Sequence, residues 1–76
     1  MITVKYLASL SDNLNKTEDS LNYRAGLSVA DIWQTLNPDT AMPANLICAI
    51  NFDYASLDAR VPDGSELAFF PPVTGG

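Results

Sequence analysis

One stretch of this 76-residue chain reads as a helix long enough to cover a sheet, and both of its ends are marked. Ser28 is the candidate N-cap and Asp31 stands at N3, a capping box with the shorter acid where Glu is usual. Leu27 at N′ and Ile32 at N4 have the spacing of a hydrophobic staple. Val29, Ile32, Trp33 and Leu36 follow i, i+3, i+4, i+7, one apolar stripe to lay across a sheet. On such a stripe Trp33 reads as core rather than as a ligand platform. Asn37 precedes Pro38, where a helix tends to stop.

Strand patterns surround this helix. Ile2 to Leu7 alternates, with Ile2, Val4 and Tyr6 on one face and Thr3 and Lys5 on the other. Ala8 to Asn15 reads as a short helix or turn, with Leu10 and Leu14 at helical spacing and Ser9, Ser11 and Asp12 as candidate caps. Lys16 to Ser20 reads as polar loop, in which Glu18-Asp19 is a solvated pair, and Leu21, Tyr23 and Ala25 alternate as a second strand ended by Gly26. Pro38 to Asn45 is a crossing loop, Leu46 to Asn51 an apolar strand, and Tyr54 to Leu57 a short one after a turn. Val61-Pro62-Asp63-Gly64 carries turn chemistry, and Glu66 to Phe70 is the last strand. The order β-β-α-β-(β)-β fits an α+β roll, a mixed sheet covered on one face by the main helix.

Composition narrows the function classes. At 47% hydrophobic and 17% charged residues the chain can bury a core, so disorder is disfavoured. Four basic against nine acidic residues give net −5, which argues against nucleic acid or an anionic membrane as partner and favours a basic protein surface. There is no histidine and one cysteine, which excludes a His-based triad and the usual zinc sets. Cys48 lies in the apolar run Leu46 to Ile50 and reads as a buried thiol. No calcium loop or Gly-rich phosphate loop is present, and no apolar run approaches a membrane span. A cytoplasmic protein that is not an enzyme by itself is the expectation.

What remains is the end of the chain, Phe70-Pro71-Pro72-Val73-Thr74-Gly75-Gly76. Two prolines without N–H groups end sheet pairing near Phe70, so a β domain over residues 1–70 is followed by a flexible arm over residues 71–76. The arm reaches up to ~20 Å when extended. Gly75 and Gly76 lack Cβ atoms and can enter a channel too narrow for other residues. The α-carboxylate of Gly76 is the arm's one reactive group.

The run Glu66-Leu67-Ala68-Phe69-Phe70-Pro71-Pro72-Val73-Thr74-Gly75-Gly76 closely resembles the tail of the MoaD family, the small subunits of molybdopterin synthase. These fall within the ubiquitin-like sulfur carriers, which also include ThiS. Cys48-Ala49-Ile50-Asn51 resembles the family's Ala-Val-Asn strand end, and Asp63-Gly64-Ser65-Glu66 its Asp-Gly-Asp-Glu turn, with Ser65 in place of an acid. Ser9 to Asn15 lacks the family's Arg-Glu-Leu pattern. The resemblance implies a β-grasp fold, with the first and last strands paired centrally, and a sulfur carrier with no bound cofactor or metal. It implies that a MoeB-type enzyme uses ATP to adenylate Gly76 and that a persulfide donor converts it to a thiocarboxylate. Phe70, Pro71, Pro72, Val73, Thr74 and Gly75 are then the partner-binding residues that carry Gly76 into the MoaE-type large subunit. There sulfur passes to cyclic pyranopterin monophosphate to build the dithiolene, in a heterotetramer of two small and two large subunits.

Three other readings stand beside this one: a carrier for thiamine or cysteine synthesis, a ubiquitin-like modifier joined through Gly76, and a binding module with an inert tail. Pro71-Pro72-Val73-Thr74 matches MoaD better than the ThiS ending, and Lys5 and Lys16 are the only lysines on which modifier chains could grow. One further expectation concerns the last strand. Leu67 and Phe69 point one way and Ala68 and Phe70 the other, so a single covering helix leaves one apolar pair as a docking patch unless loops cover it.

Overall fold

The computed structural model describes residues 1–72. Its elements run β1 (Ile2–Tyr6), α1 (Ser9–Leu14), β2 (Glu18–Leu21), α2 (Val29–Leu36), β3 (Ile47–Ile50), β4 (Asp53–Ala55) and β5 (Glu66–Phe70). The five strands form one sheet in the order β2-β1-β5-β3-β4. β1 and β5 pair in parallel, Val4 opposite Leu67 and Tyr6 opposite Phe69, while the other three pairings are antiparallel. This is the mixed roll expected, with the first and last strands adjacent at its centre.

The main helix forms as its sequence dictates. The Ser28 hydroxyl accepts from the Asp31 N–H and the Asp31 carboxylate accepts from the Ser28 N–H, both at 3.1 Å. That reciprocal pair satisfies two of the helix's orphan donors. Val29, Ile32 and Trp33 are buried on its inner face. Against them lie Ile2, Val4 and Tyr6 of β1, Leu67 and Phe69 of β5, and Cys48 of β3, with Leu10, Leu27 and Val61 closing the edges. At the centre Trp33 meets Phe69 edge-on with ring centroids 5.1 Å apart, and Tyr6 stacks on Phe69 at 6.1 Å. Each such aromatic pair adds roughly 0.5–1.5 kcal/mol beyond its buried area. The Trp33 Nε1–H donates to the Thr40 carbonyl at 2.9 Å, so the buried indole leaves no polar atom unpaired.

β2 differs from the sequence reading, which placed the strand at Leu21 to Ala25 and left Lys16 to Ser20 as loop. Its position is set by what lies beside it rather than by its own alternation. Lys5 pairs with Glu18 across the strands, and Asp19 accepts from the Tyr6 hydroxyl at 3.0 Å while pairing with Lys16 at 2.6 Å. The Lys16 ammonium also lies 5.2 Å from the centre of the Tyr6 ring. Glu18-Asp19, expected to be merely solvated, therefore locks the edge strand onto β1. In α1 none of the expected caps acts; Ala8 holds the N-cap position without a side-chain cap bond, and Asn15 ends the helix in the left-handed region at φ 58°. β3 is trimmed by one residue at each end relative to expectation. β4 begins one residue earlier than expected and ends two residues sooner. The turn expected over Val61 to Gly64 forms one residue later, over 62–65, with Gly64 at φ 80° and the Ser65 N–H donating to the Pro62 carbonyl at 3.3 Å.

Two buried polar groups contrast with each other. The Tyr6 hydroxyl accepts from the Asn37 side-chain amide at 3.1 Å besides donating to Asp19. The Ser65 hydroxyl, 3% exposed, has no hydrogen-bond partner among the described residues. Ser65→Ala should therefore leave stability unchanged or raise it by on the order of 1 kcal/mol in urea unfolding, since it removes an unpaired buried group. Ser28→Ala, which removes the cap, should cost about 1 kcal/mol in the same assay. Burial pushes the Tyr6 phenol from 10.0 up to about 12, with Asp19 adding to the shift and the Asn37 bond opposing it. Because the folded state holds this proton more tightly, its contribution to stability is complete below about pH 10 and disappears as pH rises toward 12. Unfolding measured across that window should show the loss, and Tyr6→Phe should flatten it.

Candidate functional site

The single covering helix leaves the opposite face of the sheet bare. Along β5, Leu67 and Phe69 are fully buried, whereas Ala68 and Phe70 lie on the other face and are only half-buried. The apolar pair left outward is therefore Ala68 and Phe70. Registration gathers the rest of the site around them: Lys5 of β1 is opposite Ala68, Ala49 of β3 faces Ala68 from the other side, and Tyr54 of β4 is opposite Ala49. These residues, with Leu7, Phe52 and Glu66, line a concavity of about 520 Å³. Two alanines make its floor, because only a small side chain there leaves room between the flanking Lys5 and Tyr54. Tyr54 inclines toward Phe70, with ring centroids 6.2 Å apart.

The β3–β4 connection shapes one rim. Asn51 and Phe52 are the two central residues of a two-residue hairpin loop, at φ 50° and φ 73°, with Ile50 paired to Asp53. Both angles are left-handed, the signature of a type I′ turn, where Asn followed by Gly is the favoured pair. Asn51 suits its place: its side-chain oxygen accepts from the Glu66 N–H at 2.9 Å and its own N–H donates to the Glu66 carbonyl at 2.8 Å, extending the β3–β5 ladder. Phe52 does not. A bulky residue in that region costs roughly 1–2 kcal/mol, and its ring is 88% exposed.

Electrostatics on this face are acidic. Lys5, its one cation in the lining, is ion-paired to Glu18, whose hydrogen bond and then charge raise the ammonium's pKa above the ordinary value. Glu66 is in the lining as well. Among the described residues no group of three or more His, Cys, Asp or Glu side chains could hold a metal ion, and no helix is long and apolar enough to cross a membrane. Cys48 is buried on the inner face, its Sγ donating to the Ala55 carbonyl at 3.0 Å, and burial pushes the thiol's pKa up.

Of the sequence-stated site residues, Phe70 closes one end of the concavity and Pro71 and Pro72 carry the chain off β5, Pro71 half-buried and Pro72 exposed. Val73, Thr74, Gly75 and Gly76 lie outside the described residues. The sequence reading did not find Lys5, Leu7, Ala49, Phe52 and Tyr54 as parts of the same face. The alternation Phe52, Tyr54 beside the small Ala55 was a signal for an outward pair, but only the strand order brings it next to β5.

A five-stranded mixed sheet with one covering helix and a chain exit at the end of its central strand defines a β-grasp domain, and similar solved structures share that fold. SAMP1 from Haloferax volcanii superposes with a TM-score of 0.78 at 23% identity, covering 99% of this chain and 98% of that one. A chain of the Amycolatopsis orientalis BexX/CysO complex gives 0.73 at 18% identity over the full length of both. The ThiS family model matches residues 4–76, and the chain belongs to that family. Molybdopterin synthase sulfur carrier subunits from Escherichia coli K12 and Haemophilus influenzae are each 55% identical to it over 31 residues. The matched stretch spans 41% of this chain and 38% of each relative.

Burial of Cys48 predicts that an alkylating reagent modifies it far more slowly in the native protein than in urea. Equal rates would place the thiol at the surface instead.

Proposed function

We propose that this protein is the sulfur-carrying small subunit of molybdopterin synthase, acting through the α-carboxylate of Gly76. The observation that carries the reading is the family match through residue 76, which takes in the diglycine as well as the fold. The likeness to molybdopterin synthase sulfur carrier subunits over 31 residues supports this member of the family.

The chemistry follows from what a carboxylate lacks. It is a poor electrophile, so a MoeB-type enzyme first joins it to the α-phosphate of ATP, releasing pyrophosphate and leaving an acyl-adenylate. The terminal sulfur of a persulfide donor then attacks the acyl carbon and AMP departs. A thiol reduces the resulting sulfur–sulfur bond and frees the thiocarboxylate. Gly75 and Gly76 permit close approach in the adenylate site and in the narrow channel of a MoaE-type large subunit. Pro71 and Pro72 stiffen the arm, so less entropy is lost when Val73 and Thr74 are threaded after them. Phe70 and the bare sheet face seat the body of the carrier while the arm delivers sulfur to cyclic pyranopterin monophosphate. The working assembly is a heterotetramer in the cytoplasm, with catalysis by the large subunit.

The modifier reading is weaker on one observation. Lys16 is paired with Asp19 and Lys5 with Glu18, so both lysines on which copies could be chained are engaged, which weighs against polymer formation and not against single attachment of Gly76. Deleting Gly76 should abolish pyrophosphate exchange into ATP by the activating enzyme while leaving the folded domain's melting temperature unchanged. Undiminished exchange by the truncated protein would rule out Gly76 as the activated residue.

A further inference from the structure

Phe52 stands where folding alone would not put it. Its backbone is left-handed at φ 73° in a turn position that glycine fills most easily, and its ring is 88% exposed. Glycine there would relieve the backbone and remove an apolar ring from water. The ring is therefore held out for a contact with another molecule, and it rims the same concavity that Phe70 closes.

Chain geometry says what that molecule is. Ile47 is opposite Phe70 and the Asn51 N–H bonds to the Glu66 carbonyl, so Phe52 and Phe70 lie at opposite ends of the concavity, roughly 13 Å apart along the strands. From Pro72 the four residues to Gly76 span at most about 14 Å. A protein that takes up Gly76 must therefore approach the exit of β5, and a partner surface of ordinary size, roughly 800 Å², is broad enough to reach the far rim. The face it meets is apolar at the centre with Glu66 in its lining, and its lysine, Lys5, is already paired with Glu18.

Resting on the carrier reading above, we infer that Phe52 is a specificity-determining anchor that enters an apolar cleft, bordered by basic side chains, on the subunit receiving the arm. Arm and ring engage at opposite ends of the face. The pair fixes the orientation of the carrier and selects the arm-receiving protein whose cleft is correctly spaced. Phe52 takes no part in the sulfur chemistry.

The test is calorimetric titration of the intact protein with the molybdopterin synthase large subunit, comparing wild type, Phe52→Gly and Phe52→Leu. Phe52→Gly should melt higher, by about 4 °C or more, and yet bind at least ~10-fold more weakly. Phe52→Leu, which keeps an apolar side chain, should lose less affinity, and added salt should weaken all three complexes. Phe52→Gly binding as tightly as wild type would overturn the anchor and leave the carrier reading standing. A lower melting point for Phe52→Gly would show that the ring serves folding, and would also overturn it. Wild type failing to bind the large subunit at all would overturn both.

Discussion

The edge-on contact of Trp33 with Phe69 joins the one long helix to the strand at the centre of the sheet, and the rest of the molecule depends on it. Phe69 lies between β1 and β3 partners, Tyr6 and Cys48, so the indole reaches three strands through one ring. The helix carrying Trp33 is eight residues long. It covers the inner face and has nothing left for the outer one. An exposed apolar face is therefore a direct consequence of how this small core is built, and the alternation along β5 assigns Leu67 and Phe69 to the core and Ala68 and Phe70 to that face.

The same strand also sets where the chain leaves. β5 is flanked by β1 and β3, so its end is fixed from both sides, and Pro71 and Pro72 cannot continue either ladder. The central strand thus ends at Pro71 and Pro72, with the concavity lying beside the exit. Folding and function use different residues here. Trp33, Phe69, Tyr6 and Leu67 hold the domain together, while Ala68 and Phe70 of β5 and Tyr54 of β4 lie on the uncovered face. The Cys48 thiol is on the folding side of the sheet.

How much of this was legible in the sequence follows from where each signal resides. α2 was readable because its cap, staple and stripe are local and agree with one another. β5 was readable in full, from Glu66 to Phe70, because a turn precedes it and two prolines follow. β2 was not, because an edge strand with Glu18 and Ser20 outward and Asp19 and Leu21 half-buried has no apolar period of its own; tertiary partners place it. The docking face was half legible. Strand alternation gave two candidate pairs, but whether Lys5, Ala49 and Tyr54 join Ala68 depends on the strand order, which is a non-local fact. Phe52 was hidden for a different reason: Asn51 signals a turn, but nothing local says that the next residue will be forced left-handed.

The central claim is that sulfur is carried on the carboxyl end of the arm rather than anywhere in the domain. Its most direct test is the mass of the intact protein after incubation with a MoeB-type enzyme, ATP and a persulfide donor, followed by fragmentation. Fragmentation is essential because oxidation of Met1 or Met42 changes the mass almost identically. The account predicts one oxygen replaced by sulfur at Gly76. Absence of sulfur at Gly76, with an amide bond from Gly76 to lysines of other proteins instead, would contradict it and make the protein a modifier.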